Sequence, residues 1–208
     1  LCRGRMDEAI GLFEAALQAN PSAKAARQNL AAALFLEGRM EAALAASRET
    51  VRHFPRYPAA RVLRGLILAE AGRYGEAVAA YEAALRLRPG ALTAACELAW
   101  LLATGPDPAQ RDGPRALALA RDVVRRTQRR SYRALDVLAA ALADTGRFDQ
   151  AAAAAREALR LREAAGELPD GHARGTPAVS AADLRARLSC YEARRPYRMA
   201  GAGAEAAP

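Results

Sequence analysis

The sequence predicts an all-α protein built as an array of repeated helical hairpins, and three observations support this prediction. Alanine is abundant and only 5% of the 208 residues are aromatic, which favours closely packed helices because alanine combines the highest helix propensity with a minimal side chain. Similar stretches recur along the chain, with glycine and proline at fixed places in each of them. A fixed period of this kind indicates a repeat architecture in which each unit packs on its neighbours.

The period is 34 residues, as the positions of Gly4, Gly38 and Gly72 show. A fourth copy begins at Gly146, after a longer interval. We expect each glycine to end the first helix of a hairpin, because the turn needs a backbone conformation that other residues resist. The prolines that close the first three copies keep the same spacing: Pro21, Pro55 and Pro89.

These motifs resemble the tetratricopeptide repeat, a helix-turn-helix unit of 34 residues. That family places an alanine, an aromatic residue, a second alanine and a closing proline after the turn glycine. Two copies here carry the whole pattern: Gly4, Ala9, Phe13, Ala16 and Pro21, and then Gly72, Ala77, Tyr81, Ala84 and Pro89. The second copy departs from it, with Ser47 and Thr50 replacing the aromatic residue and the second alanine. The resemblance covers Gly4 to Arg198 and implies a right-handed superhelix, or α-solenoid, with the first helix of each repeat lining its inner face.

The predicted array occupies residues 1–165 and begins with the second helix of a truncated repeat, so we expect the chain to be a piece of something longer. Four repeats follow, at about 22–55, 56–89, 90–129 and 130–165. The remainder is predicted to form a loop at 166–179, a capping helix at 180–195 and a flexible tail at 196–208.

The predicted capping helix starts with a capping-box pattern, Ser180 followed by Asp183. Leu184, Leu188 and Tyr191 give it one apolar stripe, with which it would cover the last repeat. A docking helix for another protein is the alternative interpretation.

The stretch from Leu98 to Ala120 looks like an active-site loop, because prolines, glycines and charged residues crowd between two helix-like runs. We predict helices at 92–104 and 113–128, with Asp107 and Asp112 acting as turn and N-cap residues. The stretch is similar to a variant repeat near the C-termini of many bacterial tetratricopeptide proteins, where a further repeat, a short helix and an RPYR-like tail follow. In some of those relatives a membrane-embedded glycosyltransferase-like portion precedes the repeats.

The resemblance places candidate partner-binding residues on the inner face of the array. Phe35 and Trp100 are the candidate anchors, since buried aromatic residues tend to dominate interface energy, although Trp100 could instead pack as core. A carboxylate clamp is not expected, because Ala59 and Leu63 stand where its basic residues would be. The full set of candidates is Gln28, Asn29, Phe35, Val62, Leu66, Glu70, Glu97, Trp100, Arg133 and Asp136.

The predicted function is that of a non-catalytic scaffold which binds a peptide or protein segment in this groove. Neither His53 nor His172 has a nucleophile or carboxylate at a useful spacing. The three cysteines lack zinc-ligand spacing, and there is no phosphate-binding loop. We therefore expect no enzyme activity, no metal and no cofactor.

Two alternatives remain open. The net charge is +8 and the excess lies in the C-terminal half, including RRTQRR at 125–130, so this half could bind nucleic acid or an acidic partner; an arginine bias on solvated helix faces explains the charge more simply. The chain could also be an accessory region of a larger, membrane-bound glycosyltransferase-like enzyme, with the N-terminal remainder of its own chain as partner. No apolar run is long enough to span a membrane, and we expect a cytoplasmic protein or the soluble region of a larger membrane protein.

Overall fold

The computed structural model describes residues 2–165 and 179–200. Within these ranges the chain forms ten α-helices and no β-strand. Residues 166–178 of the predicted loop and 201–208 of the predicted tail lie outside the described residues. The helices are α1 (Cys2–Ala19), α2 (Lys24–Leu36), α3 (Met40–His53), α4 (Pro58–Glu70), α5 (Tyr74–Leu87), α6 (Leu92–Thr104), α7 (Gly113–Arg126), α8 (Tyr132–Asp144), α9 (Phe148–Ala164) and α10 (Ala181–Glu192).

The helices group into two compact units, which we call unit 1 and unit 2. Unit 1 contains α1 to α5, and unit 2 contains α6 to α10. In unit 1, α2 packs with α3 and α4 packs with α5; in unit 2, α6 packs with α7 and α8 packs with α9. Each predicted repeat range contains one of these helical pairs, and the repeat boundaries stay predictions.

Glycine closes the turn inside three of the hairpins, as predicted. Gly38, Gly72 and Gly146 have φ angles of 72°, 72° and 76°, in the left-handed region that side chains disfavour. Gly4 does not follow this rule, because it lies inside α1, which begins at Cys2. A hairpin turn needs a preceding helix, and here the helix itself starts two residues before the glycine.

The long turn between α6 and α7 is held by its two aspartates, as the sequence predicts. The Ala109 amide donates to Asp107 Oδ1 over 2.9 Å, which caps a short 3₁₀ turn at Pro108–Gln110. The Arg115 amide donates to Asp112 Oδ1 over 3.0 Å at the start of α7. These contacts give both carboxylates a capping role.

Helix α7 ends at Arg126, two residues before the predicted end. The helix ends there because the backbone turns left-handed, with φ angles of 51° at Gln128 and 57° at Arg129. The Arg129 amide then donates to the Val124 carbonyl over 3.0 Å. This bond satisfies one of the free carbonyls at the helix end.

Small side chains form much of the core in both units, which lets the helix axes approach closely. Gly65 lies against the buried ring of Tyr81, and a Cβ atom added there would lie 2.5 Å from Tyr81 Cε1. Four alanines on the second helices of the hairpins have no exposed surface: Ala43, Ala77, Ala116 and Ala151. The predicted role of small residues at these contacts is therefore confirmed.

The departures of the second copy are accommodated inside α3. Ser47 Oγ donates to the Leu44 carbonyl over 3.0 Å, and Thr50 Oγ1 donates to the Ala46 carbonyl over 2.8 Å. Both residues are buried, so these bonds within the helix satisfy hydroxyls that water cannot reach.

Helix α10 packs on α9 and begins with the predicted capping box. The Asp183 amide donates to Ser180 Oγ over 3.0 Å, and the Ser180 amide donates to Asp183 Oδ2 over 2.9 Å. Leu184 and Tyr191 of the predicted apolar stripe are buried, while Leu188 is half-buried.

Removing the cap side chain is expected to destabilise unit 2. Ser180→Ala leaves the Asp183 amide without its acceptor, and we expect a loss of about 0.5–2 kcal/mol in the free energy of unfolding. Urea denaturation followed by circular dichroism measures this. Ser189→Ala, at an exposed position within the same helix, is the control and should leave the midpoint unchanged; equal midpoints for the two variants would contradict the assigned cap.

Candidate partner-binding surfaces

In unit 1, the predicted site residues lie on α2 and α4, which contact each other. Glu70 is exposed, and Gln28 Oε1 is inaccessible and accepts no hydrogen bond. Leu36, beside them on α2, is 56% exposed. The half-buried members are Gln28, Asn29, Phe35, Val62 and Leu66. We call the six predicted residues on these two helices the α2–α4 surface.

Each of these two helices has an arginine in its first turns that bonds to the proline before the helix. The Arg27 guanidinium donates to the Pro21 carbonyl over 2.7 Å, and the Arg61 guanidinium donates to the Pro55 carbonyl over 2.8 Å. The donors and the acceptors are both 34 residues apart. The repeat thus uses the same contact twice to tie the closing proline of one copy to the next helix.

In unit 2, two of the four predicted residues pair with each other. Arg133 Nη2 donates to Glu97 Oε1 over 2.7 Å, joining α8 to α6. Burial raises the pKa of the Glu97 carboxyl, and the neighbouring Arg133 charge opposes that shift. The pair is an internal link between two helices of the same unit.

Asp136 is buried, with 2% of its surface exposed, and forms an ion pair with Arg187 of α10. Burial raises the pKa of the Asp136 carboxyl to about 6, while Arg187 lowers it. The contact joins α8 to α10 and gives a buried carboxylate the charged partner that it requires.

Trp100 is half-buried beneath residues from the C-terminal end of the chain. The Arg187 guanidinium carbon lies 4.4 Å from the centre of the indole ring, which is cation–π geometry. The Tyr197 ring centre lies 5.8 Å from it. Trp100 and Asp136, expected to face a partner, therefore contact the chain's own C-terminal residues, because α10 and the residues after it return to α6 and α8.

Residues 198 and 199, which fall within the predicted flexible tail, form hydrogen bonds with α6 and α8 of unit 2. The Arg198 guanidinium donates to the Ala103 carbonyl over 2.7 Å and to Asp144 Oδ1 over 2.6 Å. The Met199 amide donates to the Thr104 carbonyl over 2.9 Å. Sequence analysis missed these contacts, although the RPYR motif that it singled out was the available signal.

Within 2–165 and 179–200, no group of three or more His, Cys, Asp and Glu residues is placed to hold a metal ion. No helix in those ranges has both the length and the apolar character needed to cross a membrane.

Comparison with family models agrees with the helical hairpins. Models described as tetratricopeptide repeat match residues 3–67, 58–91 and 133–166. The chain belongs to the tetratricopeptide repeat family. No curated protein matches this tetratricopeptide repeat chain in sequence.

Solved structures of tetratricopeptide repeat proteins share its fold. TTC0263, a thermophilic TPR protein from Thermus thermophilus, is 22% identical, with 92% of this chain and 93% of that chain covered and a TM-score of 0.64. MamA from Desulfovibrio magneticus RS-1 is 24% identical, with coverages of 67% and 76% and a TM-score of 0.58. YrrB, named as a TPR protein with an unusual peptide-binding site, is 20% identical, with coverages of 73% and 75% and a TM-score of 0.61. The predicted class, an all-α tetratricopeptide-repeat protein, is confirmed, and family membership supports a role as a protein-interaction scaffold.

Proposed function

We propose that this tetratricopeptide repeat protein is a non-catalytic scaffold that binds a peptide or protein segment on the α2–α4 surface. The observation that carries the proposal is the set of partly accessible apolar side chains on two adjoining helices: Phe35, Val62 and Leu66, with the exposed Leu36 beside them. The segment belongs to another protein or to the remainder of a longer chain. We propose a cytoplasmic setting, or the soluble side of a larger membrane protein.

The chemistry of the surface favours a segment with apolar side chains. Phe35 and Leu66 offer apolar area, which dominates binding energy where water is excluded. The peptide-binding site named for YrrB supports peptide recognition by this fold.

The environment of the buried cysteine in unit 2 supports a non-catalytic role. Burial raises the pKa of the Cys96 thiol to about 12. The thiol is therefore protonated at neutral pH, whereas a nucleophilic cysteine acts as the thiolate.

Internal ion pairs argue against nucleic acid as the partner. Several arginines of unit 2 form ion pairs with carboxylates of the same chain, which makes these guanidinium groups less available to phosphates. These pairs include Arg125 and Arg126 with Asp122, Arg129 with Glu157, and Arg156 with Glu192.

A charge placed in the α2–α4 surface is expected to weaken segment binding. A displayed peptide library is first selected for binding to the whole chain. The selected peptides are then titrated against the parent and Leu66→Glu. We expect the variant to bind them about tenfold or more weakly, because the introduced carboxylate must be desolvated on binding. Affinity for the parent should change little between about 50 and 200 mM salt, unlike phosphate binding.

Leu12→Glu is the matched control, because Leu12 is 70% exposed on α1 and lies outside the proposed surface. Its peptide affinity should equal that of the parent. Equal binding by the parent and Leu66→Glu would exclude this surface, and a steep loss of affinity with salt would instead favour an arginine-dependent partner.

A further inference from the structure

The C-terminal residues of the chain contact unit 2 as a bound peptide would. Arg187 of α10 and residues 196–199 supply two guanidinium groups, one phenol ring and one main-chain donor. We call this set the C-terminal clasp, and the part of α6 and α8 that it contacts the α6–α8 surface. The contacts are made by residues 51 to 97 positions apart in the chain.

The α6–α8 surface is chemically suited to a guanidinium group. The carbonyls of Ala103 and Thr104 belong to the last turn of α6, where helix carbonyls lack partners within the helix and carry partial negative charge. Asp144, the last residue of α8, adds a carboxylate with a 10% exposed side chain. Arg198 bonds to the Ala103 carbonyl and to this carboxylate at the same time.

The space for the Asp144 carboxylate depends on a glycine. A Cβ atom at Gly113, the first residue of α7, would collide with Asp144 Oδ2. Gly113 is buried and has an ordinary backbone conformation. Glycine is therefore needed here because the Asp144 carboxylate approaches the backbone closely, and not because of an unusual φ angle. Asp144 Oδ2 thus packs closely against Gly113, while Oδ1 accepts the hydrogen bond from Arg198.

An aromatic platform completes the surface. The rings of Trp100 and Tyr197 are in contact at an interplanar angle of 34°, and the Arg187 guanidinium carbon lies 5.1 Å from the Tyr197 ring centre and 4.4 Å from that of Trp100. In a tyrosine followed by an arginine, the tyrosine ring therefore lies against Trp100 and the arginine guanidinium bonds to the end of α6. Lysine cannot reproduce this arrangement, because its ammonium lacks the planar fork that bonds two acceptors together.

We propose that the α6–α8 surface is a binding site for a Tyr-Arg segment. This chain fills the site with its own residues 197–199, and the same segment of a separate peptide fills it when the Tyr197 and Arg198 side chains are removed. The chemical class of the ligand is a cationic peptide with an aromatic residue directly before an arginine. The proposal does not depend on what binds the α2–α4 surface.

The test uses the full chain carrying Tyr197→Ala and Arg198→Ala and a labelled peptide with the sequence of residues 194–200, RRPYRMA. Fluorescence anisotropy should show binding to this double variant and at least tenfold weaker binding to the parent, whose site is occupied. Trp100, the single tryptophan of the chain, gives an independent readout, because its emission should shift in the double variant and return towards that of the parent as the peptide binds.

Matched controls locate the site. Arg195→Ala, at an exposed position next to the segment, should bind the peptide as weakly as the parent does. A peptide with lysine in place of its last arginine should bind the double variant at least tenfold less tightly. Adding Leu66→Glu to the double variant should leave peptide affinity unchanged, and a loss there would place the peptide on the α2–α4 surface and overturn the proposal.

Equal binding by the parent and the double variant, or no binding by a double variant that keeps the helical circular dichroism of the parent, would also overturn it. If the double variant loses its helical signal, Arg198→Ala alone replaces it in the anisotropy measurement. That variant keeps the Tyr197 ring on Trp100, and it must bind the peptide more tightly than the parent for the proposal to stand.

Discussion

Gly65→Leu is expected to lower the free energy of unfolding by about 1–3 kcal/mol, because it overpacks the contact between α4 and α5. Gly65 has no ordinary van der Waals space for a Cβ atom, which would lie 2.5 Å from Tyr81 Cε1. Tyr81 is 1% exposed, so its ring cannot move aside into solvent. Thermal unfolding of the parent and the variant, followed by circular dichroism, measures the difference.

Gly11→Leu is the matched control, because Gly11 also lies within a helix but has nothing within 4 Å of an added Cβ atom. That substitution should raise stability by up to about 1 kcal/mol, since glycine is a poor helix former. Because the two variants are expected to change stability in opposite directions, their comparison separates the effect of packing from that of helix propensity. A Gly65→Leu variant with the melting midpoint of the parent would show that the small-residue register is wrong.

Ala151→Leu tests the same register in unit 2. Ala151 has no exposed surface in α9, and we expect a loss of similar size, about 1–3 kcal/mol. Ala153→Leu, at an exposed position in the same helix, should have little effect. Equal melting midpoints for these two variants would contradict the assigned face of α9.

Arg187→Leu is expected to destabilise unit 2 by about 3–5 kcal/mol at pH 8, because it leaves the Asp136 carboxylate buried without its charged partner. Arg187 also covers Trp100, so the variant loses that contact too. The remaining charged groups around the carboxyl are Arg133 and Asp183, and the buried Tyr191 adds a hydroxyl without a hydrogen bond. None of them replaces the lost ion pair.

The loss should shrink as the pH falls. The folded pKa of Asp136 is about 6 in the parent, above its ordinary value of 3.8, and removal of Arg187 raises it further. A carboxyl whose pKa is raised by folding binds its proton more tightly in the folded state, so protonation stabilises the variant as the pH drops through that pKa. Melting midpoints of the parent and variant should therefore differ more at pH 8 than at pH 5.

Arg185→Leu is the control for this pH series, since Arg185 of α10 and Glu163 of α9 form an exposed ion pair. Exposed pairs contribute little, and its midpoint should follow that of the parent at both pH values. A difference between the parent and Arg187→Leu that stays constant from pH 8 to pH 5 would argue against titration of Asp136.

Local pattern and period were enough to place most of the helices. Gly38, Gly72 and Gly146 mark turns because the left-handed conformation is a property of one residue and its neighbours. Asp107, Asp112 and Ser180 were identifiable as caps for the same reason, since each bonds to an amide only two or three residues away. The period then predicted which alanines are buried, because each unit repeats the contacts of the one before it.

The C-terminal clasp was decided only by the tertiary structure. Arg187 and Arg198 are two among 31 basic residues, and no local pattern separates them from arginines on solvated faces. Their partners, Asp136 and Asp144, lie 51 and 54 residues away, outside the 34-residue period. The repeat pattern therefore predicted Trp100 and Asp136 as groove residues, and the return of the chain end to α6 and α8 determined what they contact.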